Sequence, residues 1–121
     1  RLPDYDGCCR NLHGHNAKCE VTVASPGLDA GGMVLDFGEI RGSIERWVDE
    51  NIDHRTILWR DDPLLPLLAG GDVLLFVMDE IPTAENLARL IYEQAKEIGL
   101  AVVEVRVWET KSNVASYAPR G

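Results

Sequence analysis

Alternating apolar and polar residues predict strands toward both ends of the chain. From Ala17 to Ala24, apolar residues recur at every second position, the period of a half-buried strand. A similar alternation runs from Val102 to Thr110, and a short final strand is predicted from Val114 to Tyr117. The side chains expected on the buried faces are Ala17, Cys19, Val21 and Val23 in the first strand, and Val103, Val105 and Val107 in the second.

Two segments have the periodicity of amphipathic helices. The first runs from about Phe37 to Glu50, with Asp36 as its N-cap. The second begins after Thr83, a residue type that caps helices, and ends at Gly99, a natural C-terminal stop. The order of elements is therefore strand, helix, helix, strand, strand.

The middle of the chain, residues 55–81, has no clear period. Prolines interrupt its leucine-rich part, and a Gly-Gly pair marks a turn. The apolar run from Val73 to Met78 could form an additional strand. We interpret the pair Asp61 and Asp62 as part of a solvated loop.

Composition narrows the class of protein. The 121 residues fit one domain, and a chain of this size leaves apolar surface that an oligomer would cover. The net charge of −8 argues against nucleic acid or an anionic membrane as a partner. No apolar run reaches the ~20 residues of a membrane span, and no signal peptide is visible. Three cysteines, two of them adjacent, make a poor disulfide framework, so we expect a reduced, cytoplasmic setting.

The segment from Cys9 to His15 carries the densest chemistry. His13 and His15 lie two residues apart, so in an extended strand both imidazoles would face one point, as a metal site needs. The alternative is a pair of ordinary loop histidines. Cys9 is a candidate nucleophile or base, although its spacing alone favours a small, partly buried packing residue, and Cys8 is an equal candidate on these grounds.

Three carboxylates and one more histidine are further candidates. Asp53 could orient His54 as a base, or the two could simply form a polar loop. Glu109 falls on an apolar strand face, where a carboxylate usually meets a cation or paired N–H donors, unless it reaches water past the strand end. Glu85 favours the positive end of a helix dipole and could also form a wall of a pocket.

These motifs together resemble the 6-pyruvoyltetrahydropterin synthase superfamily, and in particular its bacterial branch of 6-carboxy-5,6,7,8-tetrahydropterin synthases, which act in queuosine biosynthesis. The motifs occur in family order over almost the whole chain. They are Cys9-Arg10-Asn11-Leu12-His13-Gly14-His15, Gly32-Met33-Val34-Leu35-Asp36-Phe37, Asp53-His54, Pro82-Thr83-Ala84-Glu85-Asn86 and Trp108-Glu109-Thr110.

The resemblance implies an α+β protein with the T-fold, or tunnelling fold. In that fold an antiparallel sheet carries two helices on one face, and the sheets of several subunits join into a barrel. The implied assembly is a homohexamer with active sites at subunit interfaces. Residues 1–121 would form a single T-fold domain whose first strand is expected upstream of Arg1.

The resemblance also implies roles for individual residues. His13 and His15 match two of three zinc-binding histidines, and the third is expected just before Arg1. Cys9 matches the catalytic cysteine, and its spacing to the histidines selects it over Cys8. Asp53 and His54 match a pair that works with the cysteine in proton transfer. Glu109 matches the glutamate that anchors the pterin ring, and the resemblance places Glu85 and Thr83 in the same pocket.

The implied reaction is that of a zinc-dependent lyase of the pterin synthase type. It converts 7,8-dihydroneopterin triphosphate to 6-carboxytetrahydropterin, with release of acetaldehyde and triphosphate. The short Cys-to-His spacing favours this branch over the pyruvoyl-type triphosphate lyase. A non-catalytic protein that binds pterin or zinc is the alternative from another class.

Overall fold

The structure is a computed structural model that describes residues 1–119. A short 3₁₀ turn at Cys8–Arg10 precedes the longer elements. These are β1 (Lys18–Val23), α1 (Phe37–Ile40), a π-helical segment (Arg41–Glu45), α2 (Arg46–Asn51), β2 (Thr56–Trp59), α3 (Leu65–Leu68), β3 (Leu75–Met78), α4 (Ala84–Ile98), β4 (Val102–Trp108) and β5 (Val114–Tyr117). The fold is α+β, as predicted.

The main sheet is antiparallel, in the order β1–β4–β5. Val21 lies opposite Val105, and Val105 lies opposite Tyr117, so these side chains share the face that meets the core. The register shifts near the end of β1, where Thr22 pairs with Glu104 but Val23 pairs with Val102. This bulge leaves one residue of β4 without a partner in β1.

Three expectations for buried residues were wrong. Ala17 is exposed because it precedes β1, which begins at Lys18. Val103 is 44% exposed because it is the extra residue of the bulge, and Val102 is buried in its place. Cys19 is exposed as well. It pairs with Val107 on the core side of the sheet, but β1 is the edge strand within residues 1–119, so no further strand covers its side.

The predicted helices are confirmed, with one local change. Residues 37–51 are helical throughout, and the Asp36 carboxylate accepts a 2.7 Å hydrogen bond from the Gly38 N–H as N-cap. The π-helical segment interrupts this helix where the Ser43 hydroxyl donates to the Glu39 carbonyl. Thr83 caps α4 by accepting from the Asn86 N–H, and Gly99 ends it with φ of 107°.

The middle of the chain forms a second sheet that the sequence pattern only partly indicated. The strand predicted within Val73–Met78 is present as β3. Its parallel partner β2 was not predicted, because four residues without alternation give no strand signal. Leu58 in β2 and Met78 in β3 are buried.

One core joins the sheet to both long helical segments. Ile44 comes from the π-helical segment, and α4 contributes its apolar stripe, against the buried face of β4. The buried members of this core are Ile44, Ala88, Ile91, Ala95, Val102, Val105 and Val107. In the part of the chain that the structure describes, no helix combines the length and apolar character that crossing a bilayer would require.

Candidate active site

Cys9 lies in the 3₁₀ turn, on the segment that leads into β1. The Arg10 N–H donates to the Gly7 carbonyl at 3.1 Å, and the Cys9 carbonyl accepts from the Leu2 N–H at 2.8 Å. Cys9 is half-buried, whereas Cys8 is exposed. The structure therefore distinguishes two cysteines that the bare sequence left equivalent.

The surroundings of Cys9 favour the thiol over the thiolate. Partial desolvation raises the pKa of Cys9 above its ordinary value, and the neighbouring Cys8 and the Glu109 carboxylate raise it further. Glu109 comes close enough to act on the thiol although it is far away in sequence. Trp108, which precedes Glu109, pairs with Lys18 at the start of β1, so the segment that carries Cys9 enters the sheet next to the end of β4.

The His13–His15 pair lies in an irregular segment before β1. The strand begins only at Lys18, so the two histidines precede it and are not part of a regular strand. The segment still brings the two rings together, with centroids 4.8 Å apart and planes at 83°. Both side chains are exposed.

A hydrogen bond fixes the tautomer of His13. Its Nδ1 lies 2.7 Å from the Asn11 carbonyl oxygen. Because a carbonyl can only accept, Nδ1 carries the proton and the Nε2 lone pair is left free. This support of one ring nitrogen by a backbone carbonyl is typical of histidines that bind metals through the other.

The donor set fits a metal only in part. Two neighbouring imidazoles are suitable ligands for zinc, which takes about three protein ligands in catalytic sites. Within residues 1–119, no group of three or more His, Cys, Asp or Glu side chains is arranged to hold a metal ion. Among the described residues, His13 and His15 are therefore candidate ligands, and no third donor is placed with them.

Asp53 and His54 are in contact just past the end of α2. The Asp53 carboxylate lies 2.9 Å from Nδ1 of His54, with side chains 57% and 91% exposed respectively. His54 has φ of 57°, a left-handed backbone conformation that is costly for a residue other than glycine. Among the described residues, no hydrogen bond or ion pair links this open pair to Cys9.

Glu109 is the first residue after β4 and is half-buried. Its N–H donates to the Asn113 carbonyl at 3.0 Å, and the Thr110 hydroxyl accepts from the Asn113 N–H at 3.0 Å. These bonds close the turn between β4 and β5. The backbone of Glu109 is therefore held at a fixed point beside the strand end.

A cleft lined by the residues on either side of Glu109 was not predicted. It has a volume of about 560 Å³ and is lined by Asn16, Lys18, Trp108, Thr110 and Lys111. The buried Trp108 indole N–H has no hydrogen-bond partner among residues 1–119, and the Lys18 ammonium lies 5.8 Å from its ring centroid. Lys18 alternates with apolar residues in the sequence, so the pattern indicated only a solvent-facing side chain.

Thr83 and Glu85 occupy different environments. Thr83 lines a smaller cleft of about 310 Å³, formed between the start of α4 and the N-terminal segment. Its hydroxyl already accepts the capping bond from Asn86. Glu85 is exposed in the first turn of α4 and does not line that cleft.

Asp62 is the residue whose environment differs most from the expectation. It is 2% exposed, not solvated, while its neighbour Asp61 is exposed. Nε of Arg1 donates to both Asp62 oxygens at 3.2 and 2.9 Å. Burial alone would raise the pKa of Asp62, but the hydrogen bonds from Arg1 and from the Leu64 N–H hold it below its ordinary value. No sequence pattern marks this pairing, because its partners are distant along the chain.

The family model and the related proteins that match this chain all belong to the pterin synthases. The family described as 6-pyruvoyl tetrahydropterin synthase matches residues 1–120. A 6-carboxy-5,6,7,8-tetrahydropterin synthase of Aquifex aeolicus is 38% identical over 90% of this chain and 75% of its own length. The enzyme of the same name from Haemophilus influenzae is 29% identical over 96% of this chain and 88% of its own length. The enzyme of the same name from Rickettsia conorii is 37% identical over 73% of this chain and 65% of its own length.

A solved structure is similar as well. The crystal structure of an uncharacterized protein, WS1659 from Wolinella succinogenes, superimposes with a TM-score of 0.76 and 28% sequence identity. The match covers 93% of this chain and 81% of that one. The arrangement of strands and helices described above therefore also occurs in an experimentally determined structure.

Proposed function

This chain belongs to the 6-pyruvoyl tetrahydropterin synthase family, and we propose that it acts as a zinc-dependent 6-carboxy-5,6,7,8-tetrahydropterin synthase. The reaction would convert 7,8-dihydroneopterin triphosphate to 6-carboxytetrahydropterin and release acetaldehyde and triphosphate. The observation that carries the proposal is the family match over residues 1–120, whose motifs in this chain include the segment that starts at Cys9. The histidine pair follows a few residues later on the same segment.

Glu109 is proposed to bind the pterin ring. A carboxylate can accept two parallel hydrogen bonds from an amino group and the adjacent ring N–H, which fixes both position and orientation. Its backbone is held by the bond to Asn113, so the bound ring would be held relative to Cys9. Thr83 and Glu85 are proposed as further contacts in the pocket.

Cys9 and the Asp53–His54 pair are proposed to move protons. Cys9 would take or relay a proton at the substrate side chain, and His54, oriented by Asp53, would do the same from another direction. Since the exposed Asp–His pair has no contact to Cys9 among the described residues, we propose that a neighbouring subunit brings it to the site. This fits a homohexamer of the T-fold type with sites at subunit interfaces.

His13 and His15 would hold zinc through ring nitrogens, with Nε2 as the free nitrogen of His13. When bound, zinc supplies Lewis-acid polarisation of the substrate's side-chain hydroxyls. The remaining ligand is proposed to come from outside the described residues. We further propose a cytoplasmic enzyme of lyase type that serves queuosine biosynthesis.

Product identification tests the proposal. The protein is incubated with 7,8-dihydroneopterin triphosphate, with and without added zinc, and the mixture is analysed by mass spectrometry. We expect 6-carboxytetrahydropterin and acetaldehyde, in amounts that fall when zinc is removed by a chelator. A pyruvoyl-type product would replace this proposal with the other reaction of the family. Tight pterin binding without any product would instead favour a non-catalytic binding protein.

A further inference from the structure

A buried ion pair anchors the N-terminal segment. Asp62 accepts hydrogen bonds on both oxygens from Arg1, and its Oδ1 also accepts the Leu64 N–H at 2.8 Å. The Arg1 side chain is 12% exposed and that of Asp62 is 1% exposed. Both charged groups are therefore largely removed from water and satisfied by one another.

Asp62 is itself held in place by the second sheet. Its N–H donates to the Trp59 carbonyl at 2.9 Å, at the end of β2, and its carbonyl accepts from the Leu65 N–H at 2.9 Å at the start of α3. The carboxylate therefore projects from a backbone that regular structure fixes on both sides.

Arg1 connects this fixed carboxylate to the backbone around Cys9. Its Nη1 donates to the Arg10 carbonyl at 3.1 Å, one residue after the cysteine. The next residue, Leu2, donates its N–H to the Cys9 carbonyl at 2.8 Å. The carbonyls of Cys9 and Arg10 are thus bonded to Leu2 and Arg1, and Arg1 is in turn held by Asp62.

Stability alone gives a poor reason for such a pair. Taking two charges out of water is costly, and well-packed apolar residues of similar volume often stabilise a protein equally well or better. What an apolar pair lacks is the planar, directional fork of the guanidinium, which can hold a carboxylate and a carbonyl at once.

We propose that Arg1 and Asp62 are positioning residues for Cys9. They hold the 3₁₀ turn so that the thiol keeps its half-buried position, and they act through the backbone of Cys9 and Arg10. The expected effect on turnover rests on the proposed function, because it requires that Cys9 takes part in the reaction. The expected effect on the position of the thiol does not depend on that function.

The test replaces the pair together, with Arg1→Met and Asp62→Leu in one protein, so that no single charge stays buried. We expect cooperative thermal unfolding near that of the wild type, an unchanged KM, and a kcat lower by about 100-fold, the scale of a misplacement of about 1 Å. Arg60→Met is the matched control, because Arg60 is exposed and has only 3.7 Å ion pairs with Asp61 and Asp79. Its kcat should stay at the wild-type value.

A second readout needs no substrate. The protein is treated with iodoacetamide, and the labelling of Cys9 is measured by tandem mass spectrometry relative to Cys8 on the same peptide. We expect the Cys9-to-Cys8 ratio to rise severalfold in the paired variant, because the half-buried thiol is released from its place. An unchanged ratio in a folded paired variant would overturn the inference.

Arg1→Lys keeps the charge but not the fork, and it covers the case in which the paired variant does not fold. We expect a raised labelling ratio in this variant too, and a wild-type ratio would again overturn the inference. If the wild-type protein makes no product, the labelling ratio still decides the positioning role, so this failure is distinct from failure of the proposed function.

Discussion

At the scale of single residues, adjacent positions have very different surroundings. Cys8 is exposed while Cys9 is half-buried, and Asp61 is exposed while Asp62 is buried against Arg1. The spacing of the motif selected Cys9 over Cys8, because the distance from a cysteine to the two histidines can be read from a short stretch of sequence. It could not find Asp62, because the pairing with Arg1 depends on how distant parts of the chain meet.

The two cysteines give a matched pair of variants. Cys9→Ala should lower kcat/KM by about 100- to 10,000-fold, the usual contribution of a group that transfers protons, while Cys8→Ala should stay near the wild type. The measurement is the initial rate of product formation from 7,8-dihydroneopterin triphosphate. Equal activity of the Cys9→Ala variant and the wild type would contradict the role assigned to Cys9.

At the scale of elements, local signals predicted the helices better than the strands. The limits of α4 depend on Thr83 and Gly99, whose effects act within one turn of the chain, and both were confirmed. The bulge in β4 depends on its pairing with β1, so simple alternation placed Val103 on the wrong face. β2 is too short to alternate visibly and was missed for that reason.

Val105 and Val103 test the bulge directly, because they belong to the same strand and have the same side chain. Val105→Ala should lower the free energy of unfolding by about 2 kcal/mol, since a fully buried side chain loses packing and leaves a cavity. Val103→Ala should change it by about 0.5 kcal/mol or less, as is usual at exposed sites. Urea denaturation measures both values, and equal losses would argue against the bulged register.

At the scale of the whole molecule, the predicted site residues fall into two groups. Cys9 and the His13–His15 pair lie on the segment before β1, and Glu109 directly follows β4, whose last residue pairs with the first residue of β1. Asp53 and His54 form an exposed pair after α2 that, within residues 1–119, makes no hydrogen bond or ion pair with Cys9. The sequence motifs, which list residues in order, contain nothing about this separation, and the barrel assembly implied by the resemblance stays a prediction.

Mixed oligomers test whether two subunits complete one site. Cys9→Ala and His54→Ala subunits are each expected to be inactive alone. When they are co-expressed in equal amounts and mix at random, about a quarter of the sites would combine an intact Cys9 from one subunit with an intact His54 from its neighbour. The activity should therefore recover to about a quarter of the wild-type rate, whereas sites contained within single subunits would give no recovery.

The register between β1 and β4 also has a consequence for folding. The turn between β4 and β5 closes locally, and α4 directly precedes β4, so these parts can associate at little entropic cost. β1 must close a loop of about two thirds of the chain before it meets β4. We therefore expect the first segment, which carries Cys9 and the histidines, to dock after α4, β4 and β5 have associated. On this expectation, a chain would complete the site only at the end of folding.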